Sequence, residues 1–188
     1  MVALGINPRY RPVGGRGGFD VVGPGAAAKD GLLTLDVLGS GMDAYIEAVR
    51  VAETPSGLAA VVTLGVDDTD DVLPIFIGVE EATSIARGLD AEDIGRPLTH
   101  DLFLDVMEEL GGRVDRVVVA DLEEDTYVAD LHVVTPRTDA VVDARPSDSL
   151  ALAARTNADI EVEASVFEAG SEPPGEYEQL DDVRELMG

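Results

Sequence analysis

Two short segments carry the residue types that handle phosphate chemistry. One is Arg96-Pro97-Leu98-Thr99-His100-Asp101-Leu102, and the other is Asp143-Ala144-Arg145-Pro146-Ser147-Asp148-Ser149-Leu150. Each places Arg-Pro just ahead of an apolar-periodic stretch that reads as a helix, with a hydroxyl and an aspartate in its first turn. A helix start exposes unpaired N–H groups and partial positive charge. An adjacent arginine adds a planar fork of donors suited to a phosphate. An aspartate there can hold a divalent cation or take a proton. If the two starts face each other, they assemble a site able to act on a phosphodiester. The same residues also spell ordinary helix initiation, with Pro at the first position, Ser or Thr as cap and Asp in the first turn. Arg145 could equally pair with Asp148 or Asp143. Spacing alone leaves both readings open.

The other candidates are weaker. His132 lies on a predicted strand, on one face with Val128, Asp130 and Val134, and reads as structural. The two histidines have neither HxH nor HxxxH spacing, so they give no metal signature. The acidic run Asp67 to Asp71 lacks the spacing and terminal Glu of a calcium loop and reads as a solvated turn. No Walker loop, GxSxG or HExxH is present.

The elements around these segments follow from hydrophobic periodicity. Strands are expected over Asp43–Ala52, Leu58–Val66, Val72–Ile77, Val114–Leu122, Thr126–Thr135, Ala140–Ala144 and Ile160–Val166. Pro74 has no N–H to give, which suits an edge strand or the start of a strand. Helices are expected over Val79–Leu89, Leu98–Leu110 and Ser147–Arg155. In the second, Leu102, Val106 and Leu110 are expected to face the core, with Phe103 and Met107 beside them, and Gly111-Gly112 supplies the stop. The stretch Leu150 to Ala154 is apolar all round and should be buried. Early hairpins favour an α+β fold, a mixed and mainly antiparallel sheet with about three packed helices. Residues 1–41 form a Gly-rich leader, holding 10 of the 20 glycines, and read as disordered or as lying upstream of a true start at Met42. Residues 42–168 make the folded domain, and residues 169–188 an acidic tail with a short helix near its end.

Composition sets the surroundings. Acids number 38 against 13 bases, a net charge of −25, and Lys29 is the one lysine. Carboxylate excess with almost no lysine suits a protein kept soluble in very high salt, and points to a halophilic source; the rival reading is an acidic protein that binds basic partners. At ~1 M salt the Debye length is ~3 Å, so the charge neither excludes nor favours a nucleic-acid substrate. No apolar run approaches the roughly 20 residues of a membrane span, and no signal-peptide pattern opens the chain, so the cytoplasm is the default location. With no cysteine, disulfides and thiolate metal sites are excluded.

Three stretches in order, LPIFIGVEEA (Leu73 to Ala82), RPLTHDL (Arg96 to Leu102) and DARPSDSLALAAR (Asp143 to Arg155), resemble the bifunctional nuclease (BFN) domain family. The resemblance runs from about Asp43 to Val166 and suggests an archaeal, salt-adapted member. It implies a compact α+β fold, a nuclease acting on DNA and RNA as plant members are described, and self-association as a dimer or larger. The motif positions are Arg96, Thr99, His100, Asp101, Asp143, Arg145, Ser147 and Asp148. Chemistry then assigns roles. His100, Asp101 and Asp148 would be catalytic, Asp101, Asp143 and Asp148 would hold Mg²⁺ or Mn²⁺, and Arg96, Arg145, Thr99 and Ser147 would bind phosphate. The alternative is a non-catalytic module that binds a small anion or a protein partner at the same helix starts. Scarce cations and only 4% aromatics argue against a stacking platform for single strands.

Overall fold

In the computed structural model, residues 11–12, 41–55, 57–92 and 95–187 are described. The expected leader lies outside them, apart from Gly41 and a two-residue strand, β1 (Arg11–Pro12). The strands that follow are β2 (Gly41–Thr54), β3 (Gly57–Val66) and β4 (Val72–Ile77). Helices α1 (Val79–Leu89) and α2 (Thr99–Glu109) come next, then β5 (Arg113–Glu123), β6 (Thr126–Val134) and β7 (Ala140–Ala144). The chain continues with α3 (Pro146–Thr156), β8 (Asp159–Glu163), α4 (Ala164–Gly170) and β9 (Asp181–Asp182).

The strands form one sheet in the order β1-β7-β6-β5-β8-β2-β3-β4, with β9 also pairing β2. Every pairing is antiparallel except β5 with β8. This is the mixed, mainly antiparallel α+β sheet that the hairpin pattern predicts. Of the two places open to Pro74, the structure takes the edge: it is the third residue of β4, the last strand of the sheet. The parallel pair needs a crossover, and α3 provides it by carrying the chain from β7 back across the sheet to β8.

Aliphatic side chains build the main core, as the absence of Trp demands. Val62, Leu64 and Leu73 from the sheet meet Ile85 of α1 and Leu150 of α3 with almost no exposure. Burying each such Leu or Ile contributes about 1.5–3 kcal/mol. The run Leu150 to Ala153 is buried as expected, because α3 packs against both α1 beside it and strands β5, β6 and β8 beneath it. A smaller cluster on the other face joins Val61 and Val72 to Tyr177, with Leu180 against it.

Three local expectations are corrected. First, α2 turns the other way. Leu104 and Met107 pack inward, while Leu102, Phe103, Val106 and Leu110 are exposed. Both arcs of this helix are apolar, so periodicity could not choose between them. Polar contacts chose, because His100 and Asp101 lie on the Leu104–Met107 side and are captured by neighbours from α1 and α3. Second, β8 stops at Glu163, and the chain turns into a fourth helix whose Val166 and Phe167 are buried. Apolar residues at alternate positions cannot show where a strand gives way to one helical turn. Third, the C-terminal segment forms no α-helix. It makes two short 3-10 turns, Pro174–Glu176 and Val183–Leu186, around β9. Val183 enters the main core, and Arg184 grips Asp90 at the end of α1 at 2.7 and 2.8 Å.

The sheet face away from α1 and α3 is rich in acids. Asp130 of β6 lies directly opposite Asp143 of β7, and Asp43 of β2 opposite Glu161 of β8, with Arg116 reaching Glu161 at 3.3 Å as a partial offset in a chain of net charge −25. Like charges in directly opposed positions destabilise a sheet until salt screens them. Raising KCl from 0.1 to 2 M is therefore expected to raise Tm by about 5–10 °C, at roughly 2–4 °C per kcal/mol for a chain of this length. Differential scanning calorimetry reads it, and a flat or falling Tm contradicts the screening argument.

His132 lies on the same face, between Arg116 and Val141 in the pairing register. Burial, helped by the Arg116 charge, pushes its pKa below the usual 6.5 against the pull of Asp130 and Asp115. As pH falls below about 6.5 the unfolded chain takes up this proton first, so stability is full above that pH and declines down through the folded pKa. The urea midpoint is expected to drop between pH 7.5 and 5.5, and His132→Gln to flatten that part of the decline. An unchanged slope in the variant would remove His132 as the cause.

Candidate active site

Helices α1, α2 and α3 begin close together, and their first turns line one cleft of about 510 Å³. Local chemistry sets each start. The carboxylate of Asp101 accepts the Leu98 N–H at 2.8 Å and so caps α2. Pro146 occupies the first turn of α3, where its missing N–H costs nothing. Glu80 and Glu81 sit in the first turn of α1, where the helix dipole favours them.

The two Arg-Pro turns do converge. His100 of α2 reaches Asp148 of α3, with Nε2 3.4 Å from Oδ1. Its other nitrogen, Nδ1, is 2.9 Å from the Ser84 hydroxyl in the middle of α1. Arg155 donates to the same hydroxyl oxygen from Nη2 at 3.3 Å. One arrangement of protons satisfies all three contacts. Nε2–H points to Asp148, the Ser84 O–H donates to Nδ1, and Arg155 donates to Ser84 Oγ. A hydroxyl, a base and an orienting carboxylate therefore stand in a row along the cleft.

The arginines are engaged as well. Arg145 holds Asp148 in two-pronged fashion, at 2.8 Å through Nε and 3.0 Å through Nη2, and reaches Glu81 at 3.1 Å through Nη1. The side chain of Arg155 is only 9% exposed. It hydrogen-bonds to Asp101 through Nε and donates from Nη1 to the Ser84 and Ala151 carbonyls at 2.9 Å each. It thereby ties α1, α2 and α3 together. For Asp148, burial works to raise the pKa, but the Arg145 and His100 contacts outweigh it and hold the carboxyl below its usual range. Asp101 shows the same balance, with Arg155 and the Leu98 N–H overcoming burial. Both are anions at neutral pH, and the Asp148 and Glu81 contacts raise the Arg145 pKa in turn.

The remaining candidates are scattered. Thr99 lines the cleft, and Arg96, two residues before the lining residue Leu98, is exposed and without an ion-pair partner among the described residues. Ser147 is buried and opens instead onto a neighbouring cleft of about 500 Å³, which Arg145 and Glu81 share. Val142 and Ala144 pack against the core, so the strand pleat turns Asp143 to the opposite sheet face. Asp101 lines a different cleft, with Arg155, Leu104 and Asp105. The three aspartates expected to hold Mg²⁺ or Mn²⁺ thus face three surroundings, and two are neutralised by arginines. Among the described residues, no three His, Asp or Glu side chains form a metal ligand set. These donors do not fit the shared cation.

Ser84, Glu81 and Arg155 were not singled out from sequence. A signal for the first existed, since Glu80, Ser84 and Arg87 recur at i, i+4 and i+7, a polar stripe opposite the buried Ala82, Ile85 and Ala86.

No helix among the described residues is long and apolar enough to cross a membrane. The sequence profile of the bifunctional nuclease domain matches residues 62–174, a span that contains every residue of the cleft. Uncharacterised proteins from two strains of Mycobacterium tuberculosis are 42% identical over 111 residues. The match covers 58% of this chain and 66% of theirs, so the chain spans just under two thirds of the relatives' length.

Proposed function

The chain belongs to the bifunctional nuclease domain family, and from that premise we propose that it hydrolyses phosphodiester bonds of DNA or RNA in the His100 cleft, without a metal ion. The observation that carries this reading is the row from Ser84 in the middle of α1 to His100 and Asp148, beside Arg145, at the starts of α2 and α3. Ser84 Oγ attacks phosphorus, and its proton passes to His100 Nδ1. The resulting imidazolium is stabilised by Asp148. The P–O bond to the leaving sugar oxygen breaks, and that oxygen takes the proton from His100. The serine phosphodiester left behind is cleaved by water, which gives a proton to His100 while Ser84 recovers one. Arg145, with Thr99 in the cleft wall, meets the phosphate oxygens, and the exposed Arg96 lies within the same segment to meet the flanking phosphate. Arg145 must exchange a carboxylate for them, and the free α-helix N–H groups assist. A cytoplasm of high ionic strength suits this, because ~3 Å screening at ~1 M salt lets a polyanion approach a chain of charge −25.

The test is cleavage of single- and double-stranded DNA and RNA in molar KCl, with EDTA, Mg²⁺ or Mn²⁺. The expected result is cleavage that persists in EDTA, with labelled nucleic acid retained on the denatured protein after rapid acid quench. Cleavage that vanishes in EDTA and returns with Mn²⁺ overturns the metal-free route.

A second reading has its own support. Arg145 is already held by both Asp148 and Glu81, as in a site that binds an anion by exchange without turning it over. Absence of cleavage, with Tm raised by phosphate or a dinucleotide, favours that binding module.

A further inference from the structure

We propose that the second cleft beside Arg145 is a nucleoside subsite, which takes one unpaired base of a single strand while the attached phosphate sits at Arg145. The choice of ligand rests on the phosphodiester reading of the His100 cleft, and it narrows the substrate to single-stranded DNA or RNA. This cleft holds about 500 Å³, inside the roughly 300–1,000 Å³ of small-molecule sites. It lies between the end of edge strand β4 and the start of β6, with Ile75 and Ile77 on one side, Tyr127 on the other and Pro146 in the first turn of α3. Mostly apolar walls with a few placed polar groups are what a flat heterocycle requires. Those polar groups lack partners in the protein. Ser147 is 5% exposed and lines the cleft, and its hydroxyl makes no hydrogen bond among the described residues. A buried hydroxyl left unpaired costs stability, and the edge of a bound base removes that cost.

The backbone supplies a second donor and acceptor. Val72 exchanges both of its hydrogen bonds with Glu172, at 2.9 and 2.8 Å, on the side of β4 away from β3. Alternate residues of an antiparallel strand present N–H and C=O to the same side. Phe76 therefore turns its own pair to that free edge, where among the described residues no strand meets it, and Phe76 lines the cleft. A hydroxyl both donates and accepts, and an N–H beside a C=O meets either kind of base edge. The site thus takes any base that is not already paired, which excludes a duplex. An extended peptide is the poorer occupant. Pro74 has no N–H and Glu172 already takes Val72, so within β4 Phe76 alone is left to give a strand both bonds. Arg145 joins the two clefts, because it lines both and grips Asp148 as well as Glu81. A phosphate exchanged onto it borders the His100 row on one side and the base cleft on the other. At ~1 M salt, phosphate contacts are screened and counterion release contributes little. Burial of an apolar ring does not depend on charge and survives. In a chain of charge −25, the subsite supplies affinity that electrostatics cannot.

Calorimetric titration in molar KCl with EDTA compares deoxyadenosine monophosphate with deoxyribose 5-phosphate, neither of which has a diester bond to cut. The nucleotide is expected to bind about tenfold more tightly or better. Ser147→Ala removes a hydroxyl that has no protein partner, so Tm should not fall. Its nucleotide affinity should drop about fivefold, while affinity for the sugar phosphate holds. Ile77→Trp narrows the cleft from the partly exposed end of β4 and should abolish the preference for the nucleotide. In cleavage assays the duplex should be cut about 100-fold more slowly than its single strand, the cost of unpairing a base. Ile77→Trp should slow cutting of the single strand and leave cutting beside an abasic position unchanged. Equal binding of nucleotide and sugar phosphate overturns the subsite, as does either variant keeping the full preference. Phenyl phosphate binding as tightly as the nucleotide reduces the cleft to an apolar slot and also overturns it. Base-dependent binding by a protein that cuts nothing keeps the subsite and removes the nuclease reading. Cleavage without base-dependent binding does the reverse.

Discussion

Ser84→Ala is expected to lower kcat for phosphodiester cleavage by about 10³–10⁴-fold, and His100→Ala by a similar factor. The proposed mechanism makes the two residues one device. The hydroxyl is reactive only while Nδ1 takes its proton at 2.9 Å, and the imidazole has no other proton source in the row. The double variant should therefore be no worse than either single one. Independent contributors would instead multiply. Ser84→Ala removes one half-buried hydroxyl, and its cost to stability should stay below about 1 kcal/mol, which separates loss of chemistry from loss of fold. A Ser84→Ala enzyme that cleaves normally while His100→Ala is dead would remove the covalent step and leave the nuclease reading standing, with water in place of serine. If neither change affects cleavage, the activity lies elsewhere or in a contaminant.

Arg155→Met should destabilise the fold by about 3 kcal/mol and lower the urea midpoint by about 1–2 M. Its guanidinium is almost wholly enclosed and connects three helices through the Asp101 carboxylate, the Ser84 carbonyl and hydroxyl, and the Ala151 carbonyl. Removing it leaves Asp101 without its cation. Because Asp101 is itself a third exposed, the loss falls at the lower end of the 3–5 kcal/mol typical of a broken buried pair. Arg155→Lys should recover less than half, since an ammonium cannot reproduce a planar fork reaching several acceptors at once. The Arg155 contact also supports Asp101 against acid. The folded pKa of Asp101 is depressed, so this stabilisation is complete above the unfolded value near 3.8 and is lost as pH falls through the folded one. Wild type and Arg155→Met should thus converge in stability towards pH 2. Equal stability at pH 7 would show that α2 is held mainly by Leu104 and Met107.

These predictions rest on residues of unequal visibility in the chain. Short-range signals read truly. Pro97 and Pro146 marked helix starts, Gly111 marked the end of α2 with φ +78°, and the all-apolar run in α3 marked the buried helix. Each depends on sterics or hydration within a few neighbouring residues. Proximity of the two Arg-Pro turns was a wager in the sequence, and the His100–Asp148 contact across 48 residues decides it.

By itself, then, the sequence determined the order of the seven longer strands β2 to β8 and of helices α1 to α3, the carboxylate excess and the family motifs. Tertiary structure alone decided which arc of α2 faces inward, which cation each aspartate meets, and that Ser84 stands against His100. The reason is the range of the forces involved. Backbone preference and apolar periodicity act over a turn or two and are written locally. The partner of a charge or hydroxyl is set by packing of segments 16 to 71 residues apart, and no local pattern encodes that distance.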